Sequence, residues 1–351
     1  MNKVIILLGP TGVGKTGVSI LLAKALNTEL ISADSMQIYR YMDIGTAKPT
    51  PEERAIVKHH MIDIVEPSEA YSTGKYIRTV VPIIEELHRE RKIPIVVGGT
   101  GLYIKAMTRG IFSGPSADWS LREELLTMEK EEKGSLYNHL KELDPEAAEK
   151  ITQNDMRRII RALEVCLKSN TSMSEIQKKL TMPLPYEFIK IGLSRDRKEL
   201  YRMIEKRVDK MIEEGLIEEV KVVINMIKEH LICHEKVSSK QYAVITKENA
   251  HCPLPTAYSL LPAVPSMQAI GYKEIAMYLK GEITLNEAIR LIKKGTKRYA
   301  KRQFTWFKKE EGICWIDITG IHDSNEIFKC IFRSESHTYA SISDISPFFT
   351  V

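Results

Sequence analysis

Three short apolar runs stand out in the first hundred residues, and none of them alternates with polar positions. They are residues 4–8, 30–33 and 93–97. Uninterrupted runs rich in valine, isoleucine and leucine are typical of strands that are buried on both faces, as in a parallel sheet. Amphipathic segments over residues 15–26 and 77–90 predict helices between these strands. The alternation predicts an α/β fold in which helices flank a parallel sheet.

The pattern changes between residues 113 and 186, where apolar runs give way to charged segments with helical periodicity. The predicted helices cover residues 121–132, 136–143 and 155–168. We interpret this stretch, residues 113–186, as a helical insertion domain. The first part of the α/β core is then residues 1–112.

The second part of the core is predicted over residues 187–317 and is mostly helical. Its elements are a strand over 188–193, a helix over 199–214 and helical pieces over 268–308. Residues 229–266 show no sustained periodicity, and we expect a long surface loop there. The polar, serine-rich tail, residues 318–351, is assigned no element.

Composition and charge narrow the function only slightly. Hydrophobic residues make up 43% and charged residues 28% of the 351 positions, as is ordinary for a globular protein. The formal net charge of +5 is too small to indicate a nucleic-acid partner by itself. Five scattered cysteines without a C-x-x-C pair argue against a disulfide framework and a structural zinc site. The apolar run near the N-terminus is too short to span a bilayer, so we expect a cytoplasmic protein without a membrane partner.

The clearest chemical signal follows the first predicted strand. The segment G-P-T-G-V-G-K-T fits the P-loop pattern G-x-x-x-x-G-K-[ST], between a strand and a helix. Its glycines let successive backbone N–H groups turn toward an anion, while the lysine and the helix N-terminus add positive charge. The hydroxyl of Thr16 is the candidate Mg²⁺ ligand. The candidate diphosphate-binding residues are Gly9, Pro10, Thr11, Gly12, Val13, Gly14, Lys15 and Thr16.

Two further loops follow the second and third strands. Asp34 could serve as an outer Mg²⁺ ligand, as a helix N-cap or as a general base. Gln37 carries an amide that can pair with an adenine edge. Thr100 follows two glycines and could donate to a phosphate oxygen or cap the next helix. Because ligands of parallel α/β sheets bind at the carboxyl ends of the strands, we expect all three loops to converge.

Taken together, these segments resemble the tRNA dimethylallyltransferase family, also called tRNA isopentenylpyrophosphate transferases, in its bacterial form. The matching pieces are G-P-T-G-V-G-K-T (9–16), I-S-A-D-S-M-Q-I-Y-R (31–40), M-D-I-G-T-A-K-P (42–49), H-H-M-I-D (59–63), V-V-G-G-T-G-L-Y (96–103), Q-N-D-M-R-R-I-I-R-A-L-E (153–164), Q-A-I-G-Y-K-E (268–274) and Y-A-K-R-Q-F-T-W-F (299–307). They keep the family's order along most of the chain. Two features depart from it: residues 229–266 are longer than the family carries, and the tail lacks the zinc-finger pattern of eukaryotic relatives.

The resemblance implies an activity and a catalytic site. The family transfers the dimethylallyl group from dimethylallyl diphosphate to N6 of the adenosine 3′-adjacent to the anticodon, and diphosphate leaves. Its P-loop NTPase-like core holds that diphosphate with Mg²⁺, rather than ATP. Asp34 would be the general base, Lys15 and Thr100 would stabilise the leaving group, and Arg207 would add a further diphosphate contact. We expect a monomer.

The resemblance also implies a tRNA-binding surface for the anticodon stem-loop. The implied residues are Asp34, Ser35, Met36, Gln37, Thr100, Arg122, Arg157, Arg158, Ile159, Ile160, Arg161, Gln268, Gly271, Tyr272 and Lys273. The helical insertion would clamp the RNA, with arginines at a helix start that favours phosphate. The segment 290–309 holds nine Lys/Arg and no acidic residue, which with the resemblance favours RNA contact.

Two other functions remain open at this level. One is a P-loop kinase acting on a small molecule, since many P-loops hold nucleoside triphosphates. The other is an RNA-binding protein without catalysis. A pure binding protein does not need Lys15, Thr16, Asp34 and Thr100 together, which argues against the second alternative.

Overall fold

The computed structural model describes residues 2–112, 114–235 and 264–333. The chain forms two compact units. The core unit comprises Met1–Ile104 and Pro185–Val351, and the insertion unit comprises Lys105–Leu184. The insertion predicted from the sequence covers 113–186. No helix in the described part of the chain is long and apolar enough to cross a membrane.

A six-stranded sheet forms the centre of the core unit. Its strands are β1 Lys3–Leu8, β2 Leu30–Ala33, β3 His59–His60, β4 Ile95–Gly98, β5 Glu187–Ser194 and β6 Ile313–Asp317. They lie in the order β3-β2-β4-β1-β5-β6, and every neighbouring pair is parallel. The side chains of residues 4–8 in the central strand are fully buried, as an uninterrupted apolar run requires. The predicted α/β fold with a parallel sheet is confirmed.

Fourteen helices have described positions. They are α1 Lys15–Ala25, α2 Pro51–Ile56, α3 Thr73–Arg89, α4 Gly101–Thr108, α5 Trp119–Glu131, α6 Ser135–Leu143, α7 Pro145–Lys150, α8 Met156–Ser169, α9 Met173–Leu180, α10 Arg197–Glu213, α11 Leu216–Glu235, α12 Tyr272–Leu279, α13 Leu285–Phe307 and α14 Ser324–Arg333. Two hydrophobic clusters hold the core unit together. One lies around the sheet, α1 and α14, and the other joins α11 and α12 to the start of α13.

The sheet register brings the three candidate loops to one edge. Leu8, the last residue of β1, pairs with Gly98 at the end of β4. Gly98 also pairs with Ala33 at the end of β2. A Cβ on Gly98 would lie 2.3 Å from the carbonyl oxygen of Ala33, so this close approach requires glycine. The loops after β1, β2 and β4 therefore start side by side.

Several elements differ from the predicted pattern. The strands β3 and β6 lie at the two edges of the sheet, and neither was predicted from the sequence. With only two residues, β3 is too short to show a pattern. The helix α11 continues to Glu235, so the predicted surface loop over 229–266 begins inside a helix, and a 3₁₀ turn covers Ser266–Gln268. Residues 236–263 lie outside the described residues. The tail, 318–351, contains α14, and its residues after 333 are likewise outside the described part.

The insertion unit is a bundle of short helices with its own core. Leu125, Leu136, Leu140 and Leu163 form the centre of a buried cluster. Side-chain caps begin four of its helices, from Asp118, Asp144, Asp155 and Ser172. Each cap accepts a backbone N–H that the helix itself cannot satisfy. Frequent capping explains how helices of 6 to 14 residues end and restart within one small unit.

Candidate active site

The loop between β1 and α1 has the conformation that an anion cradle requires. Gly9, Gly12 and Gly14 have φ angles of 150°, 81° and 108°, in the region that favours glycine. A Cβ on Gly12 would approach Ile204 of α10 to 3.1 Å, so α10 packs closely against the loop. The loop borders a cavity of about 330 Å³, which Thr16 also lines.

Lys15 folds back onto this loop. Its Nζ donates hydrogen bonds to the carbonyl oxygens of Gly9, at 2.9 Å, and Pro10, at 3.0 Å. Burial lowers the pKa of Lys15 to about 8, the charge of Asp34 raises it in part, and Arg207 lowers it again. An anion bound in the cavity would favour the charged ammonium and raise this pKa.

Asp34 stands at the end of β2 and organises the turn that follows it. Its Oδ1 accepts the backbone N–H of Met36 at 2.8 Å and, more weakly, that of Gln37 at 3.4 Å. This is the capping role considered for Asp34, applied to a turn instead of a helix. Among the described residues, no hydrogen bond uses Oδ2. Asp34 also lines the cavity, so one oxygen builds the loop and the other is available to a ligand.

Arg207 reaches the same place from α10. Burial lowers its pKa, and the charge of Asp34 offsets part of that effect. Within the described part of the chain, Arg207 forms no hydrogen bond or ion pair. It lines the first cavity and a second one of about 250 Å³, and Thr11, Asp34 and Thr46 line both as well. The two cavities therefore meet around a carboxylate and an uncommitted guanidinium.

Thr100 supports the Asp34 loop. Its hydroxyl oxygen accepts the backbone N–H of Ser35 at 3.0 Å, and its own N–H donates to the carbonyl of Ala33 at 3.0 Å. The second contact joins the loop after β4 to the end of β2. Thr100 thus positions the residue next to the candidate base, whatever else it contacts in a complex.

Sequence reasoning placed Tyr299 and Gln303 only in the basic segment 290–309, for which RNA contact is expected, and gave neither a role beside the P-loop. The amide of Gln303 bonds to the P-loop at Thr11 and to the β4 loop at Gly99. Tyr299 lines the second cavity, which Asp34 and Arg207 also line. Burial and then the charge of Asp34 raise the pKa of the Tyr299 hydroxyl, so this group stays neutral.

The amide of Gln37, expected to read an adenine edge, is bonded to the protein in this structure. Its Oε1 accepts from the Ser32 hydroxyl at 3.0 Å, and its Nε2 donates to the carbonyls of Thr46, at 3.3 Å, and Ala47, at 3.1 Å. Base pairing by this amide would require these bonds to be exchanged. The bonds tie the Asp34 loop to the D-I-G-T-A-K segment.

Glu219 of α11 is a third residue that the sequence pattern did not reveal. Its carboxylate accepts the backbone N–H groups of Asp43, Ile44 and Gly45 at 2.8, 2.7 and 2.9 Å. The hydroxyl of Tyr272 donates to the same carboxylate. The side chain of Tyr272 is fully buried. It supports residues 43–45 through Glu219, and it is not accessible to RNA in this structure.

The remaining residues of the Q-A-I-G-Y-K segment lie differently. Gln268 and Gly271 line the second cavity, and Gly271 has a φ of 104°. Lys273 is exposed. A ligand in the second cavity could therefore touch Gln268 and Gly271.

Two arginines of the insertion unit, Arg122 and Arg161, form ion pairs with one buried carboxylate. Arg122 forms a bidentate ion pair with Glu164, with both nitrogen–oxygen distances at 2.8 Å. Arg161 pairs with the same carboxylate and donates to the carbonyl of Pro115 at 2.9 Å. Glu164 is fully buried, so both arginines are committed to the core of the unit.

The other candidate RNA-binding residues on α8 lie on two faces of the helix, one exposed and one buried. Arg157 is exposed, and Arg158 is exposed and pairs with Asp155 at 3.4 Å. Ile159 and Ile160 are buried in the hydrophobic cluster of the insertion unit. Their side chains are therefore not available to RNA, since the apolar face of the helix must turn inward.

The residues around the first cavity fit a divalent cation that is bound together with a diphosphate. Thr16 and Asp34 supply oxygen atoms, which are the ligands that Mg²⁺ prefers. The described residues contain no group of three or more histidine, cysteine or carboxylate side chains that could hold a metal alone. A cation here would take most of its ligands from diphosphate and water, as in other P-loop sites.

Comparison with known proteins agrees with these features. The family model for IPP transferases matches residues 37–310. A tRNA dimethylallyltransferase of Thermodesulfovibrio yellowstonii is 56% identical over 335 residues, covering 95% of this chain and 98% of the relative. One of Thermotoga maritima is 44% identical over 317 residues, covering 90% of this chain and 93% of the relative.

Solved structures give the same result. A full-length tRNA isopentenylpyrophosphate transferase from Bacillus halodurans superposes with a TM-score of 0.62 at 37% identity, covering 99% of this chain and 97% of the other. A eukaryotic dimethylallyltransferase acting on tRNA superposes with a TM-score of 0.69 at 30% identity, covering 98% of this chain and 78% of the other.

Proposed function

This chain belongs to the IPP transferase family, and on that premise we propose that it is a tRNA dimethylallyltransferase. It transfers the dimethylallyl group of dimethylallyl diphosphate to N6 of the adenosine 3′-adjacent to the anticodon, and diphosphate is released. The observation that carries the proposal is the meeting of two cavities at Asp34 and Arg207. One cavity has the P-loop on its wall, and the other opens beside the Q-A-I-G-Y-K segment.

The P-loop side suits the leaving group. As the allylic C–O bond breaks, negative charge develops on the diphosphate oxygens, and fixed positive groups stabilise that charge in the transition state. Lys15 and Arg207 supply two such groups. Mg²⁺, held through Thr16, would add a Lewis acid for the same oxygens when bound.

The Asp34 side suits the nucleophile. Adenine N6 is a weak nucleophile because its lone pair is delocalised into the ring, and it becomes acidic as the new C–N bond forms. Asp34 accepts the proton that N6 loses, through the oxygen that does not hold the turn. The balance is complete: one C–N bond forms, one C–O bond breaks, and the proton moves to the carboxylate.

The adenosine has to leave its stack to reach this carboxylate, as in other enzymes that modify a base. An anticodon loop presents unstacked bases and is therefore a suitable target. We propose that Arg157, Arg158 and Lys273 contact the RNA backbone, since all three are exposed cations. The monomeric state and the cytoplasmic location expected from the sequence stay predictions.

The direct test is incubation of the purified protein with tRNA, Mg²⁺ and labelled dimethylallyl diphosphate, followed by nucleoside analysis. We expect label on N6 of one adenosine, loss of transfer with a chelator and no requirement for ATP. A matched tRNA with guanosine at that position should stay unlabelled. Transfer that depends on ATP, or phosphoryl transfer without prenylation, would refute the proposal and favour a kinase.

A further inference from the structure

Gln303 lies on the buried face of α13 and is 6% exposed. Its Oε1 accepts the backbone N–H of Thr11 at 2.8 Å, and its Nε2 donates to the carbonyl oxygen of Gly99 at 2.9 Å. Thr11 belongs to the P-loop, and Gly99 precedes Thr100 in the loop after β4. One side-chain amide therefore joins two loops that come from different strands.

The two loops serve different substrates in the proposed reaction. The P-loop faces the diphosphate, while the β4 loop holds Ser35, the neighbour of Asp34, through Thr100. The sheet fixes their relative position only as far as Leu8 and Gly98, where strand pairing ends. Beyond that point Gln303 supplies a direct link between them. The hydrogen bond from the Thr11 backbone N–H to Gln303 also fixes the orientation of this N–H group near the start of the P-loop.

We infer that Gln303 is a positioning residue for prenyl transfer: it holds the P-loop at a fixed distance from the loop that supports Asp34. The inference rests on the proposed function for its effect on turnover. Gln303 also lines the first cavity. Both polar ends of its amide are bonded to backbone, so the amide holds the two loops whether or not a ligand touches it.

The surroundings of Gln303 restrict its movement. A Cβ on Gly99 would lie 2.2 Å from its Nε2, so any larger residue at position 99 would have to displace the Gln303 amide. A Cβ on Gly101 would lie 2.6 Å from the ring of Trp306, one turn further along α13. The last turns of α13 therefore pack closely against the segment 98–101.

The first test replaces Gln303 with methionine, which keeps the length but removes the two strong hydrogen bonds. Loss of two bonds of about 1 kcal/mol each predicts a kcat/KM for dimethylallyl diphosphate lower by about 10- to 30-fold. The KM for this substrate and the dissociation constant of inorganic diphosphate with Mg²⁺ should both rise. The affinity for tRNA alone should stay within about twofold, because Gln303 is buried and its amide is bonded to two loops of the protein.

The matched control is Gln177→Met, the same substitution at an exposed helical position of α9. It should change none of these constants. Gln303→Ala, which leaves room for water to reach both backbone groups, provides a second variant if the methionine variant folds poorly. Unchanged diphosphate affinity in a folded variant, or a loss of tRNA affinity as large as the loss of diphosphate affinity, would overturn the inference.

The second test uses the contact with Gly99. Gly99→Ala should lower kcat/KM strongly when Gln303 is present, because the new methyl group collides with the amide. In the Gln303→Ala background the same change should cost little, since the collision is gone. Additive effects of the two substitutions would show that they act separately and would contradict the inference. Diphosphate binding reports on Gln303 even if the wild-type protein prenylated no tRNA, which would refute only the proposed function.

Discussion

The carboxylate of Asp34 accepts the backbone N–H of Met36 at 2.8 Å, so the candidate base also shapes its own loop. One oxygen of the carboxylate is fixed by this bond and the other is free to face a substrate. The two tasks can be separated, because asparagine can keep the first and cannot perform the second.

Asp34→Asn should therefore preserve the turn and remove the proton acceptor. We expect turnover to fall by about 10²- to 10⁴-fold, the usual contribution of a positioned general base, while tRNA and diphosphate still bind. Single-turnover rates and binding constants measured on the same preparation check this. Near-normal turnover would leave only the turn-forming role, and recovery at high Mg²⁺ would assign Asp34 to the metal.

The pKa of Lys15 predicts a pH dependence of substrate binding. Burial lowers this pKa to about 8 in the free protein, and a bound diphosphate raises it. The cation is present below pH 8 and is lost above it, so diphosphate affinity falls as the pH rises. Between pH 7 and pH 9 the KM for dimethylallyl diphosphate should rise about tenfold.

The control for Lys15 is Lys15→Arg. Arginine keeps its charge over this whole range, so the pH dependence should disappear even if activity is lower. A KM profile that is the same in both proteins would show that another group causes it.

Arg157 tests the RNA-binding face of α8. It is exposed, whereas Arg161 is committed to Glu164. Arg157→Ala should weaken tRNA binding and reduce the slope of log affinity against log salt by roughly one, the value for one lost phosphate contact. Arg89→Ala, at an exposed position on α3, is the matched control and should leave the slope unchanged. An unchanged slope for Arg157→Ala would place the RNA elsewhere.

Glu164 tests the buried ion cluster of the insertion unit. Burial alone would raise its pKa, but hydrogen bonds from Arg122, the Asp118 N–H and Arg161 outweigh it and hold the pKa below its usual range. Glu164→Gln should lower the free energy of unfolding of this unit by about 2 kcal/mol at neutral pH. Glu149→Gln, an exposed position on α7, should have no measurable effect.

The same carboxylate gives stability a pH dependence. Because its pKa is lower in the folded than in the unfolded state, its contribution is present at neutral pH and is lost in acid, as the pH falls through the folded-state pKa. Urea titrations at neutral and acidic pH should therefore show a smaller difference in Glu164→Gln than in the wild type. An equal difference would assign the acid sensitivity to other groups.

The sequence by itself determined the fold class, the cradle and the family. The run at residues 4–8 is short, rich in β-branched residues and followed by a glycine, which favours a buried strand. The glycines of the P-loop permit backbone angles that other residues rarely adopt. Motifs in the chain order of a known family then indicate the chemistry. Each run and each motif is local, so short segments, taken in their order along the chain, are enough to recognise them.

Only the tertiary structure decided which side chains share a task. Gln303 reaches Thr11 across 292 positions of sequence, and Glu219 caps the backbone of residues 43–45 from α11. The same packing buries Ile159 and Tyr272 and commits Arg161 to Glu164. A motif shows which residue types are present. Whether a polar group bonds to its own protein or stays available to a ligand depends on neighbours that the chain brings together only when it folds.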